Sequence, residues 1–273
     1  MNNYILITFD SCRYDSFLRA EPRVMRRLGT LERRFSYASW TAPSHFNLLM
    51  GLMPHRSLRH VIASDLYRDE FSKFSARLGI DHLDFKSMLP SLFLPLFLKE
   101  RLGYATHAMV SLPVLNPRTV INRGFDSYIL MPNHNDMRAM LRQMHFQEDR
   151  PSFYLLNVGE THYPYVLPDE DPGNCPKVHG VHGVVKHMSD SGADARAEFP
   201  SAAALREMQD RQVAAVRYLD GVIEELADTV PKNTFITITS DHGELFGEDG
   251  YFGHGPIMHP KVFEVPFVEA RIK

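Results

Sequence analysis

Cysteine is scarce: Cys12 and Cys175 are the only two in 273 residues. They cannot build a disulfide framework, and their spacing makes no zinc knuckle. A surplus of one charge is missing as well. Lys and Arg number 30 against 33 Asp and Glu, a net charge of -3. That balance excludes the basic excess of a general nucleic-acid binder. Long apolar runs are absent. The most apolar window, Met88–Leu98, is about half a bilayer span and is broken by Pro90 and Pro95. A buried or lid segment is expected there, and the sharper alternative is a surface that meets lipid or an apolar substrate. No basic n-region or small-residue cleavage site precedes the first apolar segment, so the default compartment is the cytoplasm. What the chain does have is histidine, 14 of them, and the question is which do chemistry.

Short apolar runs rich in β-formers predict strands at Tyr4–Phe9, Ala105–Val110, Ser152–Val158, Thr234–Thr239 and Val265–Ile272. Helical spacing of Leu205, Met208, Val213, Val216, Leu219, Ile223 and Leu226 predicts a helix over Ala202–Ala227. Strands alternating with helices imply a mostly parallel sheet covered on both faces, a three-layer α/β/α sandwich. No repeat or domain boundary is visible. We read one domain over 1–273, with a lid-like insertion around 169–200 that is rich in Pro, Gly, Ser, Asp and His.

Open parallel sheets carry their chemistry beyond the carboxyl ends of the strands. Asp10 ends the first predicted strand, Glu160 and His162 follow the third, and Asp241 and His242 end the fourth. Ser240-Asp241-His242-Gly243-Glu244 offers a carboxylate and an imidazole together, good ligands for a divalent ion, or else an ordinary turn. Ser39-Trp40-Thr41-Ala42-Pro43-Ser44-His45 reads as a helix start. There Thr41 is either an N-cap or a hydroxyl nucleophile beside an anion-binding helix end.

Five segments, ILITFDSCRYD, SWTAPSHFNLLMGLMPHR, ETHYPY, ITSDHGE and GYFGHGP, recur in this order in the alkaline phosphatase superfamily. The chain resembles its sulfatase-like and phosphoglycerol-transferase-like branch from about Tyr4 to Pro266. The resemblance implies an alkaline phosphatase-like fold. It also implies that Asp10, Asp241, His242 and the Thr41 oxygen bind one metal ion and that Thr41 is the nucleophile. His254 and His162 then contact the transferred group.

Departures from the pattern shift the expected chemistry. Sulfatases carry Cys or Ser where this chain has Thr41, an Arg where it has His45, and often a second Asp where it has Ser11. Threonine instead resembles nucleophiles that work on phosphate esters. The expected activity is therefore metal-dependent hydrolysis or transfer on a small-molecule or lipid-like phosphate ester, through a phospho-threonine. The alternatives are a sulfuric-ester hydrolase, a two-metal phosphatase or phosphomutase, and a non-catalytic binding homologue. Mn2+ or Zn2+ suits the ligands first, with Mg2+ or Ca2+ behind. A second ion would have to use Glu160, His162 and His254, so one tight site is expected. Glu160 is assigned to orient His162, Arg13 to pair with Asp15, and Cys12 to a buried, inert position. The substrate pocket is expected from Met88–Arg101 and Asp169–Pro200.

Overall fold

The computed structural model describes residues 1–56, 62–88, 93–171, 185–186, 199–255 and 257–272. Its strands are β1 (Asn3–Phe9), β2 (Glu32–Phe35), β3 (Ala105–Val110), β4 (Ser127–Leu130), β5 (Ser152–Val158), β6 (Val185–Lys186), β7 (Thr234–Ser240), β8 (Leu245–Phe246), β9 (Tyr251–Gly253) and β10 (Glu264–Arg271). Seven of them form the main sheet in the order β2-β10-β7-β1-β5-β3-β4. β7, β1, β5, β3 and β4 run parallel. β10 is antiparallel to both β7 and β2. The mostly parallel sheet holds, and so do the five predicted strands within a residue or two. The reversal of β10 is new, because an apolar run carries no mark of its direction.

Strand periodicity sends alternate side chains to opposite faces. From β1, Ile5, Ile7 and Phe9 enter one core with Phe17, Met25, Val216, Leu219 and Ile223. Tyr4 and Leu6 enter the other with Leu48, Phe71, Phe74, Phe97 and Leu98. The first face is covered by α1 (Tyr14–Ala20), α2 (Arg23–Leu28), α8 (Met137–Gln143) and α9 (Ala202–Thr229). The second is covered by α3 (Thr41–Leu49), α4 (Ala63–Ser72), α5 (Phe74–Leu78), α6 (Phe85–Met88) and α7 (Leu94–Leu102). These are the three layers. Truncating a fully buried leucine in either core, such as Leu219 or Leu98, costs about 2–5 kcal/mol.

α9 starts where the Ser201 hydroxyl accepts a hydrogen bond from the Ala204 amide at 3.2 Å, which satisfies one of the free donors of the first turn. In mid-helix the buried Asp220 accepts from the amides of Val24 (3.0 Å) and Met25 (2.9 Å). A carboxylate at the start of α2 suits that helix's dipole and fixes α2 against α9.

The window Met88–Leu98 is core in its described part: Leu94, Pro95, Phe97 and Leu98 of α7 are buried. The expected insertion at 169–200, with His179, His182 and His187, lies outside the described residues except at 169–171, 185–186 and 199–200. Among the described residues, no helix is long and apolar enough to cross a membrane.

Candidate functional site

β1 and β7 are neighbours, so Asp10 and the Asp241-His242 pair leave the same sheet edge side by side. Asp10, Asp241 and His242 are all buried, and their ligand atoms lie within 4.8 Å of one another. Thr41 joins them from the first turn of α3. Its Oγ1 is 3.2 Å from His242 Nε2 and 3.5 Å from Asp10 Oδ1. The capping alternative for Thr41 is corrected here. Trp40 occupies the N-cap position, and no side-chain cap bond forms. The Thr41 hydroxyl is therefore turned to Asp10 and His242 rather than spent on its own helix.

The loop after β1 couples the two carboxylates. Ser11 has a left-handed backbone (φ 60°), a strained conformation for a residue with a Cβ. It donates its amide to Asp241 Oδ1 (3.1 Å) and its hydroxyl to Asp10 Oδ1 (3.2 Å). Asn157 of β5 donates to Asp10 Oδ2 at 2.9 Å. Asp241 Oδ2, in contrast, is buried with no hydrogen-bond partner among the described residues, His242 Nε2 lying 3.4 Å away. An unpaired buried carboxylate oxygen facing a second carboxylate and an imidazole is an expensive arrangement that a cation would relieve. The donor set fits a divalent ion.

The electrostatics agree. Burial works against charge on Asp10, yet His162, His242 and the Asn157 amide hold it below the usual carboxylate range. Asp241 goes the other way: burial and the neighbouring Asp10 push it well above. Burial and His254 push His242 well below its ordinary value, leaving a neutral imidazole with Nδ1 on the Gly243 carbonyl (2.9 Å). Gly243 itself is required by close approach, since a Cβ there would lie 2.2 Å from the Lys261 carbonyl oxygen.

Two further histidines face this cluster. The His254 ring centre lies 4.3 Å from that of His242 and 5.5 Å from that of His162. His254 Nδ1 donates to Glu244 Oε1 at 2.8 Å. Burial opposes its charge, but the Glu244 carboxylate raises the ring's pKa above its ordinary value. His162 Nε2 is 4.0 Å from Asp10 Oδ1, and its Nδ1 donates to the Tyr163 carbonyl at 2.7 Å. All six sequence-predicted residues, Asp10, Thr41, His162, Asp241, His242 and His254, thus meet at one place.

One assignment changes, and those of Arg13 and Cys12 stand. Glu160 does not orient His162. Its Oε1 accepts from the Met137 amide at 2.8 Å, at the start of α8, and burial raises its pKa to about 7. Among the described residues no second group of three metal-competent ligands converges. Arg13 is held by Asp15 (2.5 Å) and Glu248 (2.6 Å), and buried Cys12 has its thiol pKa pushed up by burial. His45 is a structural neighbour: Nδ1 meets the Thr41 carbonyl (2.9 Å) and Nε2 the Thr8 hydroxyl (3.1 Å). Sequence reading missed Asn157, Glu244 and Gln212. The amide of Gln212 ties α9 to the site through the Ser11 (2.9 Å) and Thr161 (3.1 Å) carbonyls.

A cleft of about 1030 Å3 opens on Thr41, His162 and His254. Among the described residues its walls come from the start of α3, from the loops after β3, β4 and β5, and from β9 with the residues that follow it; of the segments expected from sequence, 88 and 93–101 do not line it, while 89–92 and most of 169–200 lie outside the described residues.

The sequence model of the sulfatase family matches residues 2–270. No curated protein matches the chain by sequence. Among solved structures, the C-terminal periplasmic domain of EptC from Escherichia coli, in complex with Zn, superposes with a TM-score of 0.59 at 14% identity, covering 100% of this chain and 73% of that one. The integral membrane lipooligosaccharide phosphoethanolamine transferase A from Neisseria meningitidis gives 0.58 at 14% identity, over 100% of this chain and 48% of that one. The phosphonate monoester hydrolase of Agrobacterium radiobacter gives 0.56 at 17% identity, over 98% and 68%. At these identities the likeness is one of fold.

Proposed function

The chain belongs to the sulfatase family, within the alkaline phosphatase superfamily, and we propose that it is a metal-dependent hydrolase or transferase of phosphate esters with Thr41 as nucleophile. The observation that carries this reading is the convergence of a helix-start hydroxyl that caps nothing with two buried carboxylates and a neutral imidazole, one carboxylate oxygen having no hydrogen-bond partner among the described residues. Asp10, Asp241, His242 and the Thr41 oxygen would hold one divalent cation, for which Mn2+ or Zn2+ suits the mixed oxygen and nitrogen set. A cation held there lowers the pKa of the Thr41 hydroxyl and neutralises charge on a non-bridging ester oxygen.

The chain's own residues do the rest. At the start of α3 the amides of Thr41 and Ala42, Pro43 having none, are the backbone donors placed to favour the phosphoryl oxygens. Thr41 Oγ1 attacks phosphorus, the new P–O bond forming as the bond to the leaving alcohol breaks. With Nδ1 engaged by Glu244, His254 has Nε2 left to protonate the departing oxygen, and His162 hydrogen-bonds the transferred group. Water or a second alcohol then attacks the phospho-threonine, giving hydrolysis or transfer. Threonine at position 41 supports phosphate over sulfate, since the sulfatase nucleophile is made from Cys or Ser. The two named enzymes among the solved structures, a phosphoethanolamine transferase and a phosphonate monoester hydrolase, support it as well.

The test is turnover of bis(p-nitrophenyl) phosphate, p-nitrophenyl phosphate and p-nitrophenyl sulfate by Mn2+- or Zn2+-loaded protein. Phosphate-ester turnover is expected to fall more than about 10³-fold in Thr41→Ala, with the cation still bound. Wild-type rates in that variant overturn the nucleophile assignment, and exclusive turnover of the sulfate overturns the substrate class.

A further inference from the structure

One wall of the cleft is unused by the chemistry above. Trp40 directly precedes Thr41, and its indole is 50% exposed. Val114, on the loop after β3, lines the same cleft and is 45% exposed. Of the large hydrophobic side chains exposed among the described residues, these two face the cleft. Leu130 and Phe252 line it too. Scattered exposed apolar residues need no explanation, but exposed apolar side chains lining the same cleft as a buried nucleophile do. At about 1030 Å3 the cleft is far larger than a phosphoryl group needs, and a cleft of this size and character buries a drug-sized apolar moiety.

We propose that Trp40 and Val114 are specificity-determining residues that seat an apolar alkyl or aryl group of the ester beside Thr41. The occupant is the substrate's own ester group, because Trp40 adjoins the nucleophile in the chain and lines, with Val114, the same cleft on which Thr41 opens. This rests on the reading of Thr41 chemistry above and names its substrate class: esters with a substantial apolar substituent, in preference to small hydrophilic ones. Neither side chain holds the metal ligands, so both can be truncated without dismantling the cluster.

Two measurements test it. The first compares kcat/KM for alkyl p-nitrophenyl phosphates from methyl to octyl. The wild type is expected to gain about three- to fourfold per methylene until the wall is covered. In Trp40→Ala the octyl-to-methyl ratio is expected to collapse toward one, Trp40→Phe restoring part of it, and Val114→Ser lowers it too. A ratio near one in the wild type, or an unchanged ratio in Trp40→Ala, overturns the proposal. The second uses Trp40 as the only tryptophan in the chain. Titration with octylphosphonate is expected to blue-shift its emission, whereas methylphosphonate leaves it in place. Absence of that shift overturns the apolar seat even if no ester is turned over. A shift without turnover keeps the seat and removes the catalytic reading.

Discussion

Asp241→Asn separates the metal-holding role of a carboxylate from its cost to the fold. Asp241 and Asp10 are both buried, and Asp241 Oδ2 has no hydrogen-bond partner among the described residues. Burial and Asp10 raise the folded-state pKa of Asp241 well above its ordinary 3.8. A raised pKa in the folded state gives a contribution that is complete below the unfolded pKa and lost as pH rises toward the folded one. Each unit of difference is worth about 1.4 kcal/mol. Chelated wild type is therefore less stable at pH 8 than at pH 5 through this group. The amide of Asn fills the same space and carries no charge. Its Oδ1 can still accept from the Ser11 and His242 amides that now reach Asp241 Oδ1 at 3.1 and 2.9 Å. Chelated Asp241→Asn is expected to exceed chelated wild type at pH 8 by about 1–3 kcal/mol, the cost of an uncompensated buried polar group. With a cation at about 100 times its Kd, the wild type gains about 2.7 kcal/mol, or roughly 5–10 °C in Tm for a chain of this size. The variant gains little. Thermal unfolding with chelator, Mn2+ or Zn2+ at pH 5 and 8 measures all of this. An equal metal-induced shift in the variant, or a chelated variant less stable than chelated wild type at pH 8, refutes the reasoning.

Glu244→Gln removes the carboxylate that raises His254, so the ring loses its proton at lower pH. If His254 protonates the leaving group, the alkaline limb of the kcat profile moves to lower pH, with about a ten- to hundredfold loss at pH 8; an unmoved limb removes His254 as the acid. Arg77→Met tests the fold away from the site. Arg77 is fully buried and reaches Glu70 Oε1 at 2.5 Å and Glu269 Oε1 at 2.6 Å. Losing it leaves Glu269 with the Thr237 hydroxyl, while Glu70 keeps Arg34 and Lys73, so the cost is expected at about 1–3 kcal/mol, readable in urea unfolding, while turnover per folded molecule is retained; a loss under 1 kcal/mol contradicts the assigned role.

The central strands were legible because a buried parallel strand is rich in apolar and β-branched residues: β1 and β5 are largely continuous apolar runs, and β3 and β7 mix apolar residues with β-branched threonine. The rule that chemistry gathers beyond their carboxyl ends then located Asp10, Asp241 and His242. β2 was not legible. Its sequence, Glu-Arg-Arg-Phe, has no apolar alternation, because its buried position is filled by Arg34. That guanidinium stacks over the Phe267 ring at 3.3 Å and pairs with Glu32 and Glu70. A strand held by stacking and ion pairs leaves no hydrophobic pattern to read. Glu160 was misassigned for a related reason: adjacency to His162 in sequence suggested contact, but in the fold its carboxylate caps α8.

The residues that support the site from behind were hidden by periodicity itself. Asn157 is the one polar interruption in the buried tail of β5, and helical spacing places Gln212 beside the apolar stripe of α9. A pattern search treats each as noise in a core element. Satisfaction of buried polar groups gives the opposite inference. A fully buried amide on a core face must have partners, and since most strand and helix backbone groups are already paired with each other, loop backbone and polar side chains are the readiest source. Asn157 donates to Asp10 and accepts from the amides of Ser111 (3.1 Å) and Leu112 (3.2 Å) on a cleft loop. Gln212 accepts from the Arg13 amide (3.3 Å) while its own amide holds the Ser11 and Thr161 carbonyls. Each joins a rigid element to the loops that carry the ligands. In a sheet of this kind, a lone amide on an otherwise apolar face near the carboxyl edge points from the core to the site, and it can be found in sequence before any motif is recognised.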